Sequence, residues 1–149
     1  MRETTQRQGS HTLCNLLLAG FRWFDTALLN ALHRAGYEGI RRPHSLAFAH
    51  LDRVGSARIS ELARMMGVTR QSAHQTVQEL RDMGLVELRP DPTNASALLV
   101  APSTEGRRSI RIARRRYDDL ERELARRIGE ASYNGLRRAL EMDWGDPPR

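Results

Sequence analysis

Residues 57–85 read ARISELARMMGVTRQSAHQTVQELRDMGL, and this stretch decides the fold. Its first part has the spacing of a short amphipathic helix, with apolar residues at Ile59, Leu62, Ala63 and Met66. Gly67 follows where a helix ends in the left-handed conformation, and Thr69 is a typical N-cap for a second helix that Gly84 closes. Two helices joined by such a short turn predict a helix-turn-helix, whose second helix reads the major groove of DNA.

The second of these helices has two different faces. On a helical wheel Ala73, Val77 and Leu80 gather on one side, which we expect to pack inward. The opposite side and the helix start supply the predicted DNA-binding residues Thr69, Arg70, Gln71, Ser72, His74, Gln75 and Gln78. A glutamine amide donates and accepts at once, so it can pair with N6 and N7 of adenine. The alternative is that these glutamines are ordinary exposed helix formers.

The pattern after Gly84 changes from a helical to a strand period. Residues Leu85–Arg89 alternate apolar and charged side chains, Pro90–Asn94 are rich in turn formers, and Ala97–Ala101 form a second apolar run. Two such runs across a turn predict a β-hairpin. The hairpin makes the helix-turn-helix a winged one.

Long amphipathic segments flank this centre. One apolar stripe runs along residues 13–35, at Leu13, Leu17, Phe21, Phe24, Leu28 and Leu32. Pro43 opens the next helix, with buried candidates Leu46, Phe48, Ala49 and Leu51. Ser103 or Thr104 caps a long helix that reaches about Arg127, and a last helix follows Gly129. These stripes exceed what one small core covers, which favours a homodimer over packing on the same protomer.

Composition excludes several classes of protein. The chain has 149 residues, a formal net charge of +6 and no lysine, which removes lysine-based catalysis. No apolar run is long enough to span a membrane, and a single cysteine fits the reducing cytoplasm. The histidines lack metal-site spacing, and no nucleophile–base motif, acidic pair or phosphate loop is visible. We therefore expect neither an enzyme nor a bound metal or cofactor.

The chain resembles the MarR family of winged-helix transcription regulators. The resemblance rests on the Leu-Ala helix, Gly-Val-Thr turn, Leu-x-x-x-Gly-Leu helix end and Asp-Pro wing of ISELARMMGVTRQSAHQTVQELRDMGLVELRPDPTNASALLVAPSTEG, which begins at Ile59. It implies a homodimeric repressor on a palindromic double-stranded operator, released by a small effector. The expected fold is mainly α, a winged helix-turn-helix with a β-hairpin wing and flanking dimerisation helices. The expected domains are a flexible tail (1–12), an N-terminal dimerisation helix (13–35), the DNA-binding domain (43–102), C-terminal dimerisation helices (103–142) and a second tail (143–149).

The wing departs from the family pattern. Many members carry Asp-x-Arg at the wing tip, whereas this chain has Asn94-Ala95-Ser96 there. The resemblance therefore implies that Arg89 or Asn94 contacts phosphate in its place.

Further residues are candidates for regulation. In the peroxide-sensing branch of the family a cysteine early in the first helix is the switch, which makes Cys14 a redox candidate; a small core residue is the alternative. By the same resemblance, Trp23, His44, Phe48 and His50 are candidates to line a pocket for an aromatic or phenolic ligand. A protein-interaction module without DNA is a third reading.

Basic residues are dense at the start of the long helix, at Arg107, Arg108, Arg111, Arg114, Arg115 and Arg116. Because four carboxylates follow at Asp118, Asp119, Glu121 and Glu123, we expect ion pairing along the helix or across the dimer rather than a DNA or anion contact.

Overall fold

The computed structural model describes residues 12–148, which form six helices and one β-hairpin, so the expected fold class is confirmed. The elements are α1 (Leu13–Arg34), α2 (Arg42–Val54), α3 (Ile59–Met66), α4 (Arg70–Asp82), β1 (Val86–Asp91), β2 (Asn94–Pro102), α5 (Thr104–Ile128) and α6 (Glu130–Glu141). The predicted tail of residues 1–12 lies outside the described residues except for Thr12, whose hydroxyl oxygen caps α1 by accepting from the Asn15 amide. Residue 149 also lies outside them.

The turn between α3 and α4 forms as its sequence predicts. Gly67 adopts a φ of +66°, and the Val68 amide donates to the Ala63 carbonyl across 3.0 Å. The Thr69 hydroxyl oxygen accepts from the Ser72 amide and so caps α4. Local hydrogen bonds therefore fix the angle between the two helices of the motif.

The wing is longer than expected, because its turn is tighter. The strands pair antiparallel from Val86 opposite Pro102 to Asp91 opposite Asn94, and only residues 92–93 form the turn. The Asp91 carboxylate accepts from both the amide and the hydroxyl of Thr93, which closes the turn within two residues. A further pairing joins Ala57 to Val100, and it ties the wing to the start of α3.

The core lies between α2, α3, α4 and the wing. The end of α1 and the start of α5 also contribute to it. Its largest members include Leu28, Leu32, Ile40, Phe48, Leu51, Leu62, Leu80, Val100 and Ile110. In α2 the prediction that Ala49 is buried is wrong, because α2 turns Ala47 inward and leaves Ala49 exposed.

The terminal helices bury only part of their stripes. α1 packs against α5, and α5 against α6, yet α6 contributes no buried residue among those described. Leu28 and Leu32 are buried, whereas Leu13 is 65% exposed. We call the exposed set of α1 and α6 the terminal apolar residues: Leu13, Leu16, Leu18, Phe21, Leu136 and Leu140. No helix within residues 12–148 combines the length and apolarity needed to cross a membrane.

The arginines within residues 107–116 do not pair with the carboxylates that follow at residues 118–123. Instead Asp119 pairs with Arg122, and Glu123 pairs with both Arg126 and Arg127. Glu121 pairs with Arg137 of α6. Within one protomer the ion pairs along α5 therefore join other residues than the predicted ones, and pairing across a dimer stays a prediction.

Candidate nucleic-acid interface

Helix α4 presents the two faces that its sequence predicts. Ala73, Val77 and Leu80 are at most 3% exposed and pack into the core. The opposite side is exposed and carries Arg70, Gln71, Ser72, His74, Gln75 and Gln78. The side chains of α4 that we predict to contact DNA are thus accessible together on one surface.

The start of α4 carries Arg70 and uncharged polar side chains, whereas its end carries the carboxylates Glu79 and Asp82 beside Arg81. The Thr69 hydroxyl oxygen accepts from Ser72 and caps the helix, so this oxygen is already engaged. The amide nitrogens of Gln75 and Gln78 donate to carboxylates one turn later, at Glu79 (3.2 Å) and Asp82 (3.1 Å). Because phosphates repel carboxylates, this gradient favours approach of DNA to the N-terminal half of α4.

A hydrogen-bonded cluster locks the end of α4 against α2. The Nδ1 atom of His44 accepts from the Arg41 amide, so Nε2 carries the proton and donates to Glu79 across 2.7 Å. The Arg41 guanidinium also contacts Glu79, at 2.5 Å. The hydrogen bonds from His44 and then Arg41 lower the pKa of Glu79 below its ordinary value. The cluster fixes the direction in which α4 projects from the core.

A groove of about 280 Å³ lies beside the start of α4, between α3 and the wing. Arg58, Arg70 and Ser96 line it. The Arg58 Nε atom donates to Asp91 across 2.7 Å, which holds the wing turn against α3. Hydrogen bonds from Thr93 and then Arg58 lower the pKa of Asp91 to about 2. Sequence reasoning missed Arg58, because its partner Asp91 lies 33 residues away and no local sequence pattern indicates the pair.

The two wing residues predicted to touch phosphate differ in their surroundings. Arg89 pairs with Glu87 on the same strand and lines a groove next to α5, apart from α4. Asn94 lies at the wing turn, where its side-chain oxygen accepts from the amide and hydroxyl of Ser96. The structure therefore brings Asn94, but not Arg89, to the wing tip.

The four candidate effector residues do not share one pocket. An apolar pocket of about 60 Å³ lies between α1, α2 and α5, and Phe48 lines it. His44 is buried within the cluster on Glu79, and His50 is 3.0 Å from the Met65 carbonyl oxygen. Trp23 packs edge-to-face on Phe24, with ring centroids 4.9 Å apart. The two histidines thus make structural contacts between helices.

The tyrosine nearest to Cys14 along the sequence is engaged elsewhere. Cys14 is exposed in the first turn of α1. The Tyr37 hydroxyl donates to Glu105 across 2.5 Å, and burial followed by that carboxylate raises the pKa of this tyrosine. Within residues 12–148 no three or more His, Cys, Asp or Glu side chains group as metal ligands would.

A family model matches the centre of this chain in sequence, and solved structures match nearly its whole length in fold. Residues 38–95 match the family model described as MarR family. No curated protein matches the chain. The reduced form of MarR from E. coli is 19% identical, with 89% of this chain and 96% of that one aligned and a TM-score of 0.76. RV1404 from Mycobacterium tuberculosis is 22% identical, with 89% and 92% aligned and a TM-score of 0.68. Residues 38–95 are therefore similar to the MarR family, and the chain as a whole shares the fold of the solved MarR structure.

Proposed function

We propose that the chain acts in the cytoplasm as a homodimeric repressor, which binds a palindromic double-stranded operator and is released by a small molecule. The observation that carries the proposal is the exposed surface of α4. Uncharged hydrogen-bonding side chains occupy its N-terminal half, Arg70 stands at its start, and the carboxylates are confined to its end. Base edges are read by such amides and hydroxyls, while phosphates are bound by arginine.

The terminal apolar residues support the dimer. Leu13 and Leu140 are 65% and 49% exposed, and they lie on helices that extend beyond the winged-helix core. A second copy related by a two-fold axis buries the same residues on both protomers. It also presents two α4 helices, which a palindrome requires.

The apolar pocket supports an aromatic or phenolic effector. Leu28, Phe48 and Tyr117 line it from α1, α2 and α5. Its volume of about 60 Å³ is below the ~150 Å³ at which an apolar cavity accepts a benzene ring, so a ring must spread these helices. Because two of them belong to the proposed dimer interface, ligand binding would change the spacing of the α4 pair.

Binding is tested by fluorescence anisotropy at two salt concentrations, with a duplex selected from a random library and its scrambled counterpart. We expect Gln75→Ala to remove about 1–3 kcal/mol of discrimination at one base pair per half-site. Arg70→Ala should weaken binding to both duplexes by the same factor. It should also reduce the slope of log affinity against log salt concentration by about one per monomer. Arg138→Ala, on exposed α6, is the matched control that should change neither.

Two results would contradict the proposal. If Gln71→Ala, Gln75→Ala and Gln78→Ala together leave both affinities unchanged, α4 does not read DNA. If light scattering at micromolar concentration gives the mass of one chain, the terminal helices do not form a dimer.

A further inference from the structure

A second groove adjoins the apolar pocket, lies apart from the α4 surface and carries four arginines. Arg89 reaches it from β1, and Arg107, Arg111 and Arg114 reach it from α5. Asp52, at the end of α2, supplies the one carboxylate in its lining. We call these five residues the arginine groove. No residue of α4 lines it.

The arginine groove keeps an excess of positive charge, although Arg89 pairs with Glu87 and Arg114 with Asp52. Asp52 is taken up by Arg114, through two hydrogen bonds of 2.8 and 2.5 Å. Arg107 donates to the Pro102 carbonyl and the Thr104 hydroxyl, neutral acceptors that orient its guanidinium without cancelling its charge. Arg111 is exposed, and no acceptor among residues 12–148 contacts its guanidinium.

Arginines further along α5 differ from Arg107 and Arg111 in their contacts. Arg122, Arg126 and Arg127 each pair with a carboxylate three or four residues away. Arg107 and Arg111 are also exposed, and carboxylates are present on the same helix. Neither arginine pairs with one of them, and both line the groove. Convergent arginines whose charge is not cancelled raise the local concentration of anions.

The size of the groove fits an organic anion. Its volume is about 490 Å³, within the ~300–1,000 Å³ of ligand sites. Leu51 and Ile110 give it an apolar floor, while the guanidinium groups offer planar pairs of donors that match carboxylate or phosphate oxygens.

We propose that the arginine groove binds a small, multiply charged anion, a phosphate ester or a polycarboxylate. Such a ligand bridges Arg89 on the wing to Arg111 on α5, which links the DNA-binding unit to a terminal helix. Its effect on DNA rests on the proposed function, but its binding does not, because the groove is complete within one protomer and excludes α4.

The test is calorimetric titration of the full chain without DNA, using pyrophosphate in one arm and citrate in the other at matched ionic strength. The arm that binds identifies the anion class. We expect Arg111→Gln to weaken that binding about tenfold or more. Arg138→Gln removes an equal charge from α6 and should leave binding unchanged.

A second variant has the opposite expected sign. Asp52→Asn removes the carboxylate that competes for Arg114, so anion binding should strengthen. A merely structural role of the Asp52–Arg114 pair predicts weaker binding instead. Thermal unfolding of each variant confirms that the fold is retained.

Three outcomes overturn the inference. The first is that neither anion binds, and the second is that both arginine variants weaken binding equally. The third is that Arg111→Gln lowers affinity for scrambled DNA while neither anion binds, because the groove then serves DNA phosphates. A failed titration beside intact α4-dependent DNA binding refutes the groove and spares the proposed function.

Discussion

Leucines of the winged-helix centre and leucines of the terminal helices have opposite surroundings. Leu62 and Leu80 are fully buried by neighbours from α2, α3, α4 and the wing. Leu136 and Leu140 are 44% and 49% exposed on α6, although their spacing along the helix is just as regular. The centre buries its apolar surface within one protomer, whereas the terminal helices leave part of theirs exposed.

Charged contacts differ in the same way. In the centre, Arg58 reaches Asp91 and His44 reaches Glu79, so each contact joins two elements. In the terminal helices most pairs span three or four residues, as Arg126 with Glu123 does. Local pairs stabilise a helix without deciding where it packs. Pairs between elements, such as Asp25 of α1 with Arg42 of α2 and Arg114 of α5 with Asp52 of α2, act with apolar contact to place the terminal helices.

The largest expected effect is at the junction of the two regions. Gly106, in the first turn of α5, lies against the wing, and a Cβ atom there would stand 1.9 Å from the Leu85 carbonyl oxygen. Because that oxygen belongs to the backbone, the helix must move. We expect Gly106→Ala to lower the free energy of unfolding by about 3 kcal/mol or more, measured by urea denaturation.

The matched control for that substitution is Gly135→Ala in α6. Apart from its chain neighbours and its own helix backbone, no atom of residues 12–148 lies within 4 Å of a Cβ built there. Alanine should raise the free energy of unfolding by about 0.5–1 kcal/mol, because it favours the helix. Equal destabilisation by both variants would show that α5 is not seated through Gly106.

The comparison itself is tested by one leucine from each region. Leu80→Ala leaves a cavity in the core and should cost about 2–5 kcal/mol of unfolding free energy at every protein concentration. Leu140→Ala removes no buried side chain from the protomer. Its cost should appear in the dissociation constant of the dimer, so the difference in unfolding midpoint should vanish at protein concentrations low enough that both chains are monomeric. A loss at Leu140 that does not depend on concentration would mean that α6 packs on its own protomer.

The wing contact has a pH signature. Asp91 has a folded-state pKa of about 2, below its ordinary 3.8, so its carboxylate stabilises the fold fully above about pH 4. That stabilisation falls away as the pH drops from about 4 through about 2. We expect Asp91→Asn to lower Tm at about pH 6, with the difference from the native chain shrinking toward about pH 2. An equal difference at both pH values would exclude the carboxylate as its source.

The smallest expected effect concerns Cys14. It is exposed in α1, and the nearest tyrosine in sequence donates to Glu105. We expect Cys14→Ser to leave release of DNA by an organic peroxide or a phenol unchanged, measured by anisotropy. A peroxide response that the native chain shows and the variant lacks would make the cysteine the switch.

Sequence reasoning succeeded where the determinants are local. Gly67 and Thr69 terminate and start helices through hydrogen bonds to residues three to five positions away. The period of Ala73, Val77 and Leu80 sets which side of α4 is buried. Sequence reasoning failed at Ala49, whose exposure depends on how α2 packs. It also failed in the wing turn, whose length depends on the hydrogen bonds from Thr93 to Asp91.

The amino-acid sequence by itself thus determined the winged helix-turn-helix and the inward face of α4, since backbone caps and helical periodicity act over a single turn. Only the tertiary structure decided that Arg58 clamps the wing, that His44 holds Glu79, and that Arg89 meets the arginines of α5. These residues lie far apart along the chain, and none has a period or cap that names its partner. Their contacts follow from how α2, the wing and α5 pack around one core, because a long side chain takes the nearest complementary charge that packing provides.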